Sequence, residues 1–239
     1  MKQPTMLTGK REVAEGTMEF SFARPEGFAY EAGQTADWTL VNPPQTDAEG
    51  NTRTFSFVSA PHEDMLKIAT RMRDSAFKRT LKGMEAGSEI TLDGPHGSFL
   101  LHENAARPGV FLAGGIGITP FHSMVADATA RKLPHKLFLF YSNRRPEDAA
   151  FLDELERFEK ENPNFTLVAT MTAMEKSSRP WNGETGYIDA PMLKRHLPDG
   201  ALPVYYLAGP QGMVTAMRDM LSESGISGDD IRFEGFAGY

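Results

Sequence analysis

Three glycines spaced for phosphate binding follow a short apolar run near the middle of the chain. The run is Val110–Ala113, and residues 114–120 read Gly-Gly-Ile-Gly-Ile-Thr-Pro. Glycine lets the main chain bend sharply and lets a ligand approach the amides, because no Cβ stands in the way. We expect Thr119 to cap the helix that follows and Pro120 to lie in its first turn. Free amides and the positive end of a helix dipole would then face a phosphate or pyrophosphate.

The spacing of these glycines leaves the ligand open. Gly-Gly-x-Gly-x-Thr-Pro differs from the dinucleotide fingerprint Gly-x-Gly-x-x-Gly, and no acidic residue about twenty positions downstream closes an obvious strand. An ordinary strand-to-helix turn without a ligand is therefore the alternative.

A second candidate group is Arg53-Thr54-Phe55-Ser56. In a strand, Arg53 and Phe55 share one face while Thr54 and Ser56 share the other. Arginine suits a phosphate in a bidentate manner, an aromatic ring offers a stacking surface, and a serine hydroxyl can reach a ring nitrogen. The alternative is an ordinary strand with an ion-paired arginine.

A third group is basic and lies about twenty residues further on. Ser75 can cap a helix that begins at Ala76, and the amides of that helix could hold an anion. The alternative is a solvated basic face, which is compatible with the first interpretation. The cations of the group are Arg71, Arg73, Lys78, Arg79 and Lys82.

Composition excludes several other chemistries. The chain has 239 residues, a net charge of −7 and no cysteine. Cysteine-ligated zinc, iron–sulfur clusters and thiol catalysis are therefore excluded, and the acidic balance argues against nucleic-acid binding. The six histidines form no metal-ligand pair at helical spacing. Because no apolar run has the length of a signal peptide core or a membrane span, we expect a soluble cytoplasmic protein without membrane contact.

The elements that must position these groups fall into two halves. Period-two alternation and turn clusters predict short strands at 17–22, 36–41, 54–59, 65–72 and 89–92, with one helix near 76–84. Many short strands suggest a small closed barrel. After a polar stretch at 102–109, strands and helices alternate, which is typical of a doubly wound parallel sheet. The predicted strands are 110–113, 136–142, 165–171, 204–207 and 231–233, and the predicted helices are 120–131, 146–162, 188–196 and 210–224.

Four motifs in sequence order carry a family resemblance. Residues 53–56 resemble an Arg-x-Tyr-Ser/Thr flavin motif, residues 94–99 a Gly-Pro-x-Gly-x-Phe turn, residues 114–120 a pyridine-nucleotide loop, and residues 208–213 a Cys-Gly-Pro-x-x-Met turn. Together they resemble the ferredoxin–NADP⁺ reductase superfamily. The resemblance implies a six-stranded antiparallel Greek-key flavin-binding barrel at residues 1–103. A doubly wound parallel-sheet domain that binds NAD(P) would occupy residues 108–239.

The resemblance also implies how the barrel would hold a flavin, with FAD favoured over FMN. Arg53 would bind the diphosphate, Phe55 would pack on the isoalloxazine, and Ser56 would lie near N5. A terminal aromatic, Phe236 or Tyr239, would cover the opposite face of the ring, with core packing of the aromatic terminus as the alternative. The implied flavin-binding residues are Arg53, Thr54, Phe55, Ser56, Arg71, Met72, Arg73, Ser75, Ala76, Phe77, Lys78 and Tyr239.

The nucleotide site implied by the resemblance lies at the carboxyl ends of the parallel strands. Arg144 and Arg145 could pair with a 2′-phosphate and so favour NADPH over NADH, or they could simply bind the acidic helix that follows. The implied catalytic residues are Ser56, Glu234 and Phe236. The implied nucleotide-binding residues are Gly114, Gly115, Gly117, Thr119, Pro120, Ser142, Asn143, Arg144, Arg145, Gly209, Pro210 and Met213.

The function implied is transfer of hydride from NAD(P)H to bound FAD, and then of electrons to a separate acceptor such as a ferredoxin or flavodoxin. Two departures from the family pattern affect this expectation. Phe55 replaces a tyrosine and loses a hydroxyl, and Ala208 replaces a cysteine beside the nicotinamide. The alternatives are an NAD(P)H:free flavin reductase and a flavin-binding regulatory or electron-transfer subunit without turnover of its own.

Overall fold

A computed structural model describes residues 2–236. The first half of the chain forms a six-stranded antiparallel sheet in the order β4-β3-β6-β1-β2-β5. The amide of Val58, just after β4, donates to the carbonyl of Lys67 in β5 at 2.8 Å and so joins the two ends of the sheet. The strands are β1 Gln3–Ala14, β2 Thr17–Ala23, β3 Thr35–Leu40, β4 Thr52–Ser56, β5 Met65–Arg71 and β6 Glu89–His96.

The interior of this barrel is filled by aromatic and branched side chains. Trp38, Phe20 and Phe57 are fully buried there, and the single helix of this half, α1 Ala76–Gly83, adds Phe77 and Leu81 to the same core. The predicted cap of α1 is confirmed, because the side chain of Ser75 accepts a hydrogen bond from the amide of Lys78.

The second half forms a parallel sheet in the order β10-β9-β8-β7-β11-β12. Chain order reverses between β7 and β11, so a crevice opens at the carboxyl ends of these two strands. The strands are β7 Gly109–Gly114, β8 Leu137–Asn143, β9 Phe165–Met171, β10 Glu184–Thr185, β11 Val204–Pro210 and β12 Ile231–Phe236. The helices are α2 Ile118–Ala130, α3 Leu152–Glu161, α4 Ala190–His196 and α5 Gln211–Glu223. Within residues 2–236, no helix has the length and apolar character needed to cross a bilayer.

Strand β1 was not predicted, and two expectations about local structure were wrong. The expected helix at 146–162 is a 3₁₀ turn and a separate α3, interrupted at Phe151, whose φ of 62° is incompatible with a continuing helix. Thr119 does not cap α2. A 3₁₀ turn at Gly115–Gly117 leads directly into that helix, and the Thr119 hydroxyl donates to the carbonyl of Ile116 inside the turn.

The two sheets are joined by polar contacts, of which those made by α2 are buried. On α2, the Nδ1 atom of His122 lies 2.9 Å from the carbonyl oxygen of Val58, and the hydroxyl of Ser123 donates to the carbonyl of Ser59 at 2.7 Å. On α3, Glu154 accepts a hydrogen bond from Arg11 of β1 at 2.7 Å. These contacts fix how the end of the barrel faces the crevice.

Candidate functional site

Arg53 is held beside the first turn of α1. Its side chain is 17% exposed, and its NH2 group lies 3.2 Å from Oδ1 of Asp47 and 2.8 Å from Oε2 of Glu49. Its NH1 group donates to three carbonyls of the same loop and strand, and its guanidinium lies 5.3 Å from the centre of the Phe77 ring. The arginine is therefore fixed in direction before any ligand arrives.

Further cations surround this arginine. Lys78 is more than half buried and donates from Nζ to the carbonyl of Arg71 at 2.9 Å. Burial lowers the pKa of Lys78, and the positive charges of Arg73 and Arg53 lower it further. An anion bound near Lys78 would offset this repulsion.

Asp47 already lies between two of the expected phosphate-binding groups. Its Oδ1 faces Arg53, and its Oδ2 accepts a hydrogen bond from the amide of Ala76, the first residue of α1, at 2.9 Å. The bond from Ala76 and the charge of Arg53 hold the pKa of this carboxyl below its usual range. We call the Arg53 guanidinium and the Ala76 amide the anion cradle.

Ser56 and Glu234 approach the same turn from different sheets. Ser56 pairs with Thr35 in the barrel, and Thr35 pairs with His96. A Cβ placed on the next residue, Gly97, would lie 3.8 Å from Oγ1 of Thr35 and 3.9 Å from Oε1 of Glu234. Ser56 is buried, and its hydroxyl has no hydrogen-bond partner among residues 2–236. A buried hydroxyl without a partner is costly unless a ligand satisfies it.

Glu234 is a largely buried carboxyl group. It stands in β12 opposite Ala208 of β11, and burial raises its pKa to about 7. Its Oε2 atom has no partner in the described part of the chain. The strand extends beyond the predicted residue 233 to Phe236, which pairs with Pro210. Tyr239 lies outside the described residues, so its expected place over the flavin stays a prediction.

The glycine turn packs closely against the start of α5. A Cβ on Gly114 would overlap the sulfur of Met213, and a Cβ on Gly117 would overlap the carbonyl oxygen of Ala208. Gly209 has a φ of 153° and passes beside the backbone of Gly114. The two turns after β7 and β11 therefore line the crevice with main chain, which is how an extended phosphate ester is held.

The residues after β8 divide into two groups. Asn143, the last residue of β8, is buried, and its side chain interacts with the hydroxyl of Tyr141. Arg144 is exposed, as a residue that recognises a ligand must be. Arg145 donates twice to the carboxylate of Asp148 and once to Glu15 across the sheets, so it serves a structural contact in this conformation.

The remaining predicted site residues lie along the barrel surface. Phe55 is half-buried with its ring centre 5.9 Å from that of Phe77, and Thr54 is exposed and bonded to Asp37. Met72 packs against the barrel core. The structure thus brings β4 against β5 and the start of α1, and β5 also contacts the glycine turn. Sequence reasoning missed Asp47, because an acidic residue in a polar loop carries no local signal.

Comparison with known proteins agrees with this architecture. Residues 111–219 match the family model of the oxidoreductase NAD-binding domain. The chain is 29% identical over 223 residues to ferredoxin–NADP reductase B of Sorangium cellulosum, covering 90% of this chain and 88% of that protein. It is 29% identical over 226 residues to the reductase component of the propane 2-monooxygenase of Rhodococcus jostii, covering 89% of this chain but 57% of that protein. A ferredoxin NADP⁺ reductase from Neisseria gonorrhoeae with bound FAD and NADP superimposes with a TM-score of 0.80 at 22% identity over 98% of each chain.

The resemblance to the ferredoxin–NADP⁺ reductase superfamily is confirmed for this chain. Its enzyme class is that of an NAD(P)H-dependent flavoprotein oxidoreductase. The expected order of an antiparallel barrel followed by a parallel sheet is confirmed.

Proposed function

We propose that residues 1–103 hold FAD and residues 108–239 hold a nicotinamide nucleotide, and that electrons leave to a separate acceptor. The observation that carries the proposal is one strand, β4, that contributes Arg53 to the cation cluster with Arg73 and Lys78 and, three residues later, the buried hydroxyl of Ser56, which has no hydrogen-bond partner among residues 2–236. A flavin nucleotide offers a phosphate to the first and ring atoms to the second. The residues present therefore fit this group.

The residues that would hold the flavin act by charge and shape. Arg53 and the first-turn amides of α1 would bind the diphosphate, while Phe55 would support the ring. When bound, a flavin accepts a hydride from a reduced nicotinamide and can release its electrons one at a time. Ser56 would donate its free hydroxyl to a ring atom and so fix the ring relative to the crevice.

Glu234 would hold a proton close to the place where the two rings meet. Its carboxyl adjoins the Gly97 turn at the end of the barrel and stands opposite Ala208 in the crevice. With a pKa of about 7, it is protonated in about half of the molecules at neutral pH. A neutral carboxyl can donate a hydrogen bond to a nicotinamide carboxamide, and it carries little charge into a site that must exclude water.

For the nicotinamide nucleotide, the main chain of the two glycine turns would bind the pyrophosphate. Ser142, Asn143 and Arg144 would contact the adenosine ribose, since they end a strand adjacent to the glycine turn. Arg144 favours NADPH because it is exposed beside this position. Arg145 would contribute only after leaving Asp148 and Glu15.

The acceptor would dock near the exposed basic residues before and within α1. Arg73 and Lys82 are exposed, and an acidic ferredoxin or flavodoxin complements such a surface. The relatives named above are a ferredoxin–NADP reductase and a monooxygenase reductase component, and these names do not point to one common acceptor. The choice of an acidic acceptor therefore rests on this surface chemistry alone.

A flavin titration tests the proposal. We expect the chain to bind FAD, and Arg53→Ala to weaken binding by at least about ten-fold because the diphosphate loses its main cation. Arg157→Ala on α3 is the matched control, since Arg157 is exposed, pairs with Glu161 and belongs to the parallel-sheet half. Equal affinity of the wild type and Arg53→Ala would refute the assigned role.

An NAD(P)H:free flavin reductase is the second candidate function. It is favoured by Asp47, because an internal carboxylate already occupies the anion cradle and any flavin phosphate must compete with it. A protein purified without flavin that nevertheless oxidises NAD(P)H when FMN or riboflavin is supplied would select this candidate.

A further inference from the structure

The loop between β3 and β4 presents oxygen-bearing side chains to the basic cluster. Gln45 accepts from Arg79 at 3.1 Å, while Asp47 and Glu49 both pair with Arg53. The contacts with Arg79 and Arg53 show that these three side chains face the cations. The loop therefore covers the cations with groups of the chemistry that a phosphate ester would otherwise supply.

The contacts of Arg53 separate into a fixed part and an exchangeable part. Its NH1 group is bound to the carbonyls of Glu49, Gly50 and Thr52, which hold the side chain in place. Its NH2 group faces the carboxylates of Asp47 and Glu49. An incoming phosphate can therefore take the place of Asp47 on NH2 without unfastening the arginine.

Asp47 satisfies both halves of the anion cradle at once. One carboxylate oxygen pairs with the guanidinium of Arg53 and the other accepts from the amide of Ala76. A phosphate bound at a helix N-terminus beside an arginine makes the same two kinds of contact. Both occupants cannot hold the same donors, so binding of one requires release of the other.

We propose that Asp47 is an internal competitor for the flavin phosphate and sets how tightly the barrel holds its flavin. This inference rests on the proposed function. The apparent affinity for flavin would equal the intrinsic affinity of the open cradle multiplied by the fraction of molecules in which Asp47 has left it. The loop would thereby keep the flavin exchangeable, and the cation cluster would stay neutralised when no flavin is bound.

The test compares three probes on four forms of the full chain. FAD and inorganic pyrophosphate carry the competing phosphates, whereas riboflavin has the ring without a phosphate. The forms are the wild type, Asp47→Asn, Asp47→Ser and Asp74→Asn. Asp74 is exposed and lies just before α1, where it pairs with Arg79, so its loss changes the local charge without opening the cradle.

We expect Asp47→Asn and Asp47→Ser to bind FAD and pyrophosphate about ten-fold more tightly than the wild type. Riboflavin affinity should stay unchanged, and Asp74→Asn should shift no probe by more than about two-fold. Serine keeps a hydroxyl that can accept from the Ala76 amide. Two variants are used so that one still gives the result if the other folds poorly.

The possible results separate this inference from the proposed function. Unchanged or weaker FAD and pyrophosphate binding in the Asp47 variants would overturn the inference while leaving flavin binding intact. An equal gain in FAD and pyrophosphate affinity in Asp74→Asn would also overturn the inference, because removal of any nearby negative charge would then explain the gain. Tighter pyrophosphate binding together with no binding of FAD or riboflavin to any form would support the competition and refute the proposed function.

Discussion

Glu154 on α3 accepts hydrogen bonds from His122 of α2, in the parallel-sheet half, and from Arg11 of β1, in the barrel. Its Oε2 lies 3.0 Å from Nε2 of His122, and its Oε1 lies 2.7 Å from the guanidinium of Arg11 on β1. Since His122 also contacts the carbonyl of Val58, one carboxylate links the barrel to α2 and α3. The relative placement of the barrel and the parallel sheet therefore depends on this group.

Removal of that carboxylate should destabilise the protein in a pH-dependent way. Burial raises the pKa of Glu154, but the hydrogen bonds from His122 and Arg11 outweigh it and lower the pKa to about 2. The ionised group therefore stabilises the fold above its unfolded value of 4.5, and this contribution is lost as the pH falls towards 2. We expect Glu154→Gln to lower the free energy of unfolding by roughly 1–3 kcal/mol at neutral pH.

The measurement for Glu154 is denaturant unfolding across acidic pH, with Glu156→Gln on the exposed face of α3 as the control. The gap between the wild type and Glu154→Gln should close as the pH is lowered through this range. A gap that stays constant down to the acid limit would show that ionisation of Glu154 is not the source of the effect.

Glu234 should give the opposite pH dependence. Because burial raises its pKa from 4.5 to about 7, the folded protein holds a proton that the unfolded chain has lost between these values. The protonated carboxyl therefore contributes its full share to the free energy of unfolding below pH 4.5, and this contribution is lost as the pH rises through 7. We expect the wild type to lose melting temperature between about pH 5 and about pH 8, and Glu234→Gln to lose less. The same decline in both proteins, with Glu223→Gln as an exposed control, would contradict the burial of this carboxyl.

Coenzyme preference should depend on Arg144 rather than on Arg145. Arg144→Ala should raise the KM for NADPH about ten-fold and spare NADH, because a 2′-phosphate loses an exposed cation. Arg145→Ala should instead lower the melting temperature, since it breaks the contacts with Asp148 and Glu15. Steady-state kinetics with both coenzymes checks this. Equal losses with NADPH and NADH in Arg144→Ala would show that this arginine does not read the phosphate.

The glycine turn should tolerate a methyl group at one position and not at another. A Cβ on Gly114 meets the flexible side chain of Met213, whereas a Cβ on Gly117 meets the backbone of Ala208. We expect Gly117→Ala to weaken nucleotide binding by at least about ten-fold and Gly114→Ala by far less. Gly212→Ala, where a Cβ would have open space, is the control in calorimetric titrations. Comparable losses at all three positions would contradict the packing described.

Sequence patterns predicted most elements because each has a local signal. The alternation in β2 and the apolar run of β7 were sufficient, and the Ser75 cap marked the start of α1. Strand β1 was missed because its exposed residues are mostly polar, and few of its twelve residues are buried. The break at Phe151 was missed because a left-handed residue in a helical pattern is set by tertiary packing, not by its type.

Sequence motifs indicated which residues of the candidate site could bind a ligand, but not which of its side chains contact one another. Arg53 and the glycine turn are visible as motifs. The contact of Asp47 with Arg53 and Ala76 depends on a loop whose course no residue type dictates, and the Glu154–His122 contact joins residues 32 positions apart. Such pairings become visible when the sheets are assembled.

Anaerobic reduction tests the central claim most directly. The chain is reconstituted with FAD, its visible absorbance is recorded, and NADPH and NADH are added separately without oxygen. The account predicts that one flavin binds per chain and that its absorbance band bleaches when either coenzyme is added, faster with NADPH. A chain that binds neither FAD nor FMN, or whose bound flavin keeps its absorbance in the presence of both coenzymes, would contradict it.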